Sequence, residues 1–156
     1  MPAPLDTGTR TVPPEWIDYN GHMMDGYYSL AFTAATDALL DYLGLGAAYR
    51  AASGAGLYTV ESHLCFSRSV HAGTVLRFRS RLLGCDAKRL HAFHEMSAAA
   101  DGAVVATNEL MFLHVRADGE RVVPMPAGRL SAAGRLAAAH AALPAPSSAG
   151  RRIAMR

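Results

Sequence analysis

The run Asp18-Tyr19-Asn20-Gly21-His22-Met23-Met24-Asp25-Gly26-Tyr27-Tyr28 gathers carboxylates, an amide, an imidazole and tyrosines within eleven residues. A carboxylate can serve as nucleophile or general base, and an amide or imidazole can orient a carbonyl, a water or the carboxylate itself. Directly after this run, Tyr28, Phe32, Ala35, Leu39 and Leu43 recur at three- and four-residue steps, the stripe of a core helix. Asp25-Gly26 reads as the N-cap region, with the short Asp side chain accepting from free amides of the first turn. The polar cluster therefore precedes the amino end of a buried helix. Unpaired N–H groups and a partial positive charge there suit a carbonyl oxygen that is becoming negative.

The elements that must hold this cluster follow from the patterning. Residues 1–8 read as a mobile lead-in and 9–12 as a short strand that Pro13-Pro14 stops, since proline cannot donate to a ladder. The helix spans about 26–43 and ends at Gly44, and 45–52 adds a shorter one. From Leu57 the period changes to two: Tyr58, Val60, Leu64 and Phe66 share one strand face, with Thr59, Glu61, His63 and Cys65 on the other. Residues 75–83 alternate Leu76, Phe78 and Leu82 with Arg77, Arg79 and Arg81, a half-buried strand with a basic outer face. Strands at 88–98 and 103–115 are separated by the Asp101-Gly102 hairpin signal, and Asp118-Gly119 makes a further turn. Residues 128–142 read as an Ala-rich helix, and 144–150 as a flexible link to a basic tail. The chain is α+β: one long helix, then long strands joined by tight turns. Such a sheet buries its apolar face by curling around the helix, and its free edge invites association.

The whole chain narrows the function classes. At 156 residues it is one domain with a real core, and 51% apolar residues exclude a disordered chain. A net charge of +2 without a long basic tract gives no footprint for nucleic acid. Cys65 and Cys85 sit in strand patterns and read as free thiols in a reducing cytoplasm. Neither an export signal nor an eighteen-residue apolar run is present, so a soluble, unexported protein without membrane contact is expected. His63, His91, His94 and His114 do not form a metal set. His91 and His94 are three apart in a strand and point to opposite faces, and no Cys or carboxylate spacing supports zinc. A Gly-rich phosphate loop and a Gly-x-Ser-x-Gly elbow are both missing.

Asp18-x-Asn20-x-His22, with Tyr28 opening the helix, resembles the catalytic loop of hot-dog-fold acyl thioesterases of the 4-hydroxybenzoyl-CoA and acyl-carrier-protein type. The likeness covers roughly residues 9–126. Within that group the text is most similar to betainyl-CoA thioesterases, those associated or fused with L-carnitine dehydrogenase. The segments that carry this are Glu15-Trp16-Ile17-Asp18-Tyr19-Asn20-Gly21-His22-Met23, Tyr58-Thr59-Val60-Glu61-Ser62-His63, Leu83-Gly84-Cys85-Asp86-Ala87-Lys88-Arg89-Leu90-His91 and Phe93-His94-Glu95-Met96. The resemblance implies a hot-dog fold over residues 1–143, an antiparallel five- to six-stranded sheet wrapped around one central helix, with 144–156 as a flexible basic tail. It implies a homodimer or homotetramer that hydrolyses an acyl-CoA, betainyl-CoA to betaine and coenzyme A, without cofactor or metal. Asp18 then takes the carboxylate role as general base or nucleophile, Asn20 and His22 orient, and the Asp25 backbone amide takes the oxyanion.

The binding candidates follow from the substrate's chemistry. A quaternary ammonium has no N–H to donate, so aromatic faces plus a nearby anion hold it best. Trp16, Tyr27, Tyr28 and Tyr58 supply faces and Glu61 the charge, each with an ordinary core or solvent-facing role as its alternative. Arg68, Lys88 and Arg89 lie at strand ends and turns, where basic side chains can meet the phosphates of coenzyme A or stay solvated. Two other functions fit the same pattern: a hot-dog hydratase or dehydratase, and a non-catalytic acyl-CoA-binding module.

Overall fold

The computed structural model describes residues 1–118 and 120–155. The Asp118-Gly119 turn and the last residue of the basic tail, Arg156, fall at least partly outside that range. In order, the described chain forms β1 (Leu5–Thr11), a 3₁₀ turn (Pro14–Trp16), α1 (Asp25–Tyr42), α2 (Ala47–Ser53) and β2 (Ala55–Phe66). Then come β3 (Val75–Cys85), β4 (Arg89–Ala98), β5 (Val104–Arg116), the short β6 (Arg121–Val122) and α3 (Ala127–Ala141). Strand β1 begins at Leu5, so residues 5–8 are part of the sheet rather than a mobile lead-in: each from Leu5 to Thr11 except Thr7 has a partner on β3.

The five long strands lie in the order β1-β3-β4-β5-β2, every pairing antiparallel, with β6 beside β5. The sheet curls around α1. Tyr28, Ala31, Phe32 and Ala35 are buried on the helix and meet Leu76, Phe78, Met96, Val105 and Ala106 from the concave face at one end. At the other end Leu39, Leu43 and Leu45 pack with Leu82, Leu90, Leu110 and Phe112. The apolar period of α1 and the alternation of β3 thus meet in one core. Strand β1 covers only half of β3, from Ser80 to Val75, and α3 closes the remainder. There His140 Nδ1 accepts the Leu82 N–H at 2.9 Å, which needs an unprotonated ring nitrogen. Desolvation holds the His140 pKa below its usual value and keeps that acceptor available.

Strand β2 is the sheet's edge, and Tyr58, Val60 and Phe66 on it are exposed. Its register with β5 slips between Thr59 and Glu61, a β-bulge at Val60. The bulge changes the face of everything after it. Thr59 pairs with buried Phe112 and Ser62 with Leu110 on the concave side, whereas Tyr58, Glu61 and His63 lie together on the convex side. The sequence alternation had set Glu61 opposite Tyr58; the extra residue brings them to one face. No helix is long and apolar enough to cross a membrane among the described residues.

Candidate active site

The polar loop is a tight reversal between β1 and α1. Pro13 and Pro14 end the ladder of β1, and a single 3₁₀ turn delivers Trp16 to the core. Ile17 and Met23 form a one-pair antiparallel bridge, and the five residues between them close on themselves. Asp18 N–H donates to the His22 carbonyl at 3.0 Å, Gly21 N–H donates to the Asp18 carbonyl at 3.0 Å, and Asn20 N–H donates to Asp18 Oδ1 at 2.8 Å. Gly21 sits at φ +78°, a left-handed geometry that glycine adopts without strain. The loop docks on the segment before β3: Met23 N–H reaches the Val70 carbonyl at 2.9 Å, and His71 Nδ1 donates to the Gly21 carbonyl at 3.0 Å. The His22 and His71 rings stand 5.0 Å apart. Asp18, Asn20 and His22 are therefore held in one turn, as their spacing suggests.

That turn hands directly to α1. Met24, not Asp25, occupies the N-cap position, without a side-chain cap; Asp25 is the first helical residue, and its Oδ1 accepts the Gly26 N–H at 2.8 Å. The Asp25 N–H has no hydrogen-bond partner among the described residues. Asp25 faces a cavity of about 380 Å³ lined by Met23, Tyr28, Phe66, Ser67, Arg68 and Ser69. Here a free amide at a helix N-terminus meets space for a ligand. Tyr28 stands edge-on to Phe66 at 5.0 Å, and its hydroxyl donates to the Arg68 carbonyl at 3.3 Å. Burial pushes the Tyr28 phenol above its usual pKa, so it stays a neutral donor. Arg68 pairs with Asp101 at 2.8 Å, which lowers the Asp101 carboxyl.

A second groove lies along α1 beside β2. Ser29, Phe32, Thr33 and Thr36 on the helix face Thr59, Ser62, Asn108 and Leu110 on the strands, around a space of about 240 Å³. Ser62 Oγ donates to Asn108 Oδ1 at 2.7 Å. Five hydroxyls and one amide line it beside the apolar Phe32 and Leu110, with no formal charge. Sequence reasoning missed these residues; the signal was Ser29 and Thr33, one turn apart on an otherwise apolar helix.

The remaining candidates disperse. Trp16 is stacked on Tyr27 at 5.1 Å and carries the Arg10 guanidinium 4.4 Å from its ring centre. Two planar groups that close must occupy opposite faces, which leaves neither indole face for a cation. Tyr58 and Glu61 lie on the convex side, where Glu61 shares a hollow with His63, His91 and Glu109. The sheet stands between them and the helix. Lys88 and Arg89 sit at the β3–β4 turn, the end of the sheet away from Asp25, and Arg89 Nε donates to Asp86 Oδ2 at 2.7 Å. That pairing holds the Asp86 carboxyl low. Within one chain, only Arg68 of the basic trio lies at the mouth of the site.

The family model of the thioesterase-like superfamily matches residues 12–133. A betainyl-CoA thioesterase from Pseudomonas aeruginosa is 44% identical over 155 residues, 99% of this chain and 98% of that protein. An L-carnitine dehydrogenase/betainyl-CoA thioesterase of Rhizobium meliloti is 39% identical over 154 residues, but this chain spans only 31% of its length. Among solved structures, a hypothetical protein from Staphylococcus aureus in complex with CoA superposes with a TM-score of 0.89 at 25% identity, covering 98% of this chain and 97% of that one.

Proposed function

The chain belongs to the thioesterase-like superfamily, and from that footing we propose that it hydrolyses betainyl-CoA to betaine and coenzyme A. It is an acyl-CoA thioesterase. The observation that carries the mechanism is the unpartnered Asp25 N–H at the start of α1, opening on a cavity that Met23, the residue after the Asp18–His22 turn, also lines. The thioester carbonyl sits against this amide. Asp18 takes a proton from water as the oxygen attacks the carbonyl carbon, and the negative charge that forms on the carbonyl oxygen rests on the Asp25 N–H. Collapse of the tetrahedral species breaks the carbon–sulfur bond; the thiolate leaves and regains the proton held by Asp18. Asn20 and His22 hold the turn and orient the water.

The acyl group extends into the groove beside α1. Its lining of hydroxyl and amide oxygens presents negative dipole ends to the polarised methyls of a trimethylammonium, and Phe32 offers a ring edge or face. The catalytic form is a homo-oligomer. Strand β2 has an unpaired edge with exposed Tyr58, Val60 and Phe66, and an exposed edge strand is ready to pair with a second copy. Free Cys65 and Cys85 suit a reducing cytoplasm.

The test is thiol release from purified protein with betainyl-CoA and with a neutral acyl-CoA of the same branching and size. Faster turnover of the cationic substrate supports the assignment. Equal kcat/KM for the two rejects betainyl recognition, and the absence of thiol release from any acyl-CoA rejects the mechanism.

A further inference from the structure

On the far side of the sheet from α1 lies a cavity of about 550 Å³, and we propose that it holds the phosphate groups of coenzyme A against Arg79, Arg81 and Arg151. This deepens the thioesterase reading and rests on it.

The floor of the cavity follows from strand register. Arg79 pairs with Glu95, Glu95 with Thr107 and Thr107 with Cys65, so these four side chains form a row across the convex face. Phe93, also on that face, is nonetheless buried. Its cover is the segment after α3, which crosses the sheet. The Arg81 guanidinium donates to the Pro144 carbonyl, Ser148 Oγ meets Thr107 Oγ1 at 3.1 Å, and Gly150 N–H donates to Glu109 Oε2 at 2.7 Å. The other Glu109 oxygen takes His91 Nε2 at 2.7 Å. Pro4 from the N-terminus and Pro146, Ser147 and Ser148 from the tail complete the walls.

Charge decides the ligand class. Arg68, Arg77, Arg89 and Arg116 each have a carboxylate partner within 4.0 Å. Arg79, Arg81 and Arg151, which line the cavity, have no such partner among the described residues, and Glu95 is the only carboxylate in the lining. Three guanidiniums against one carboxylate in a roofed hollow favour an oxyanion, and a guanidinium can grip phosphate oxygens in pairs.

Position decides which oxyanion. Phe66 and Ser67 line both this cavity and the one at Asp25, so the two lie next to each other at the end of β2. From Cys65 to Arg79 is three strand spacings, roughly 14 Å. The pantetheine arm of coenzyme A has about the reach of a four- to five-residue extended chain, roughly 15 Å. An arm of that length entering beside Phe66 therefore reaches the arginines.

Kinetics with betainyl-CoA and betainyl-pantetheine, which lacks the nucleotide, test this in wild type and in the double variant Arg79→Gln/Arg81→Gln. The expected result is a KM for the CoA ester raised about tenfold or more, with kcat kept and both constants for the pantetheine ester unchanged. Equal losses on both esters make the arginines merely structural and overturn the proposal. Calorimetry adds a second arm with CoA and with inorganic phosphate. If phosphate binds wild type but not the variant, while CoA affinity is the same in both, the cavity is a free-phosphate site and the coenzyme assignment falls. If wild type releases thiol from neither ester, the thioesterase reading has failed; weaker CoA binding by the variant then still upholds the site, and equal binding sinks it.

Discussion

Asp18 and His22 are tied through their backbones, the Asp18 N–H resting 3.0 Å from the His22 carbonyl, so the carboxylate and the imidazole belong to one rigid turn. This makes Asp18→Asn an informative variant. The amide oxygen of Asn can still accept the Asn20 N–H that Asp18 Oδ1 now takes, and the backbone bonds of the turn need no side chain. The turn should persist while proton acceptance is lost. We expect kcat to fall at least about a hundredfold with Tm within a degree or two of wild type. Activity within about tenfold of wild type would remove Asp18 from the chemistry.

Gly21→Ala tests the same turn from the backbone side. At φ +78° an added Cβ meets nothing within 4 Å, so the cost is backbone strain alone, about 1–2 kcal/mol. The turn relieves that strain by opening, which shifts Asp18 and His22 relative to the start of α1. Urea unfolding should show the small loss in stability and thiol-release kinetics a larger loss in kcat. A variant with unchanged kcat would show that the turn's geometry does not set the rate.

Glu61 offers a contrast. Because the bulge at Val60 turns it to the convex side, it lies behind the sheet from the groove beside α1. Glu61→Gln should leave the ratio of kcat/KM for cationic and neutral acyl-CoA esters unchanged. Asn108→Leu should lower it severalfold, since it removes the amide oxygen that Ser62 and the groove share. The opposite pattern would return cation recognition to the carboxylate.

What was legible in the sequence was what local periodicity encodes. The stripe Tyr28, Phe32, Ala35, Leu39 and Leu43 is buried throughout, and Leu76, Phe78 and Leu82 face the core while Arg77 and Arg79 face out. The Asp18–His22 turn was legible too, because its bonds join residues at most four apart. The bulge at Val60 was hidden: no glycine marks it, and it is fixed by the partner β5. The stacking of Arg10 on Trp16 joins the end of β1 to the 3₁₀ turn and left no pattern either. Residues 144–150 have the composition of a flexible link, yet Arg81, Thr107 and Glu109 fasten them to the sheet. Partners dozens of residues away supply those bonds.

His94 carries the pH prediction. It lies fully buried between α1 and the sheet, with Thr36 Oγ1 3.0 Å from Nε2 and Ser80 Oγ 2.7 Å from Nδ1, and Ser80 continues to Thr7 at 2.9 Å. A neutral ring can donate at one nitrogen and accept at the other; a charged ring must donate at both and bury its charge. Desolvation accordingly pushes its pKa down from 6.5 to about 4. Between those values the unfolded chain binds the proton and the native chain does not, so stability rises with pH. Above pH 6.5 the native state carries no penalty; as pH falls from 6.5 to about 4, His94 withdraws about 3 kcal/mol. His140, also shifted down by burial, acts in the same direction. His94→Gln keeps polar contacts for Thr36 and Ser80 but removes the titration. Urea unfolding at pH 7.5 and 4.5 should show wild type losing clearly more stability than the variant over that interval. Carboxylates titrate alike in both proteins and cancel from the comparison. Equal losses would mean that the His94 ring is already protonated in the core, and that Thr36 and Ser80 both accept from it.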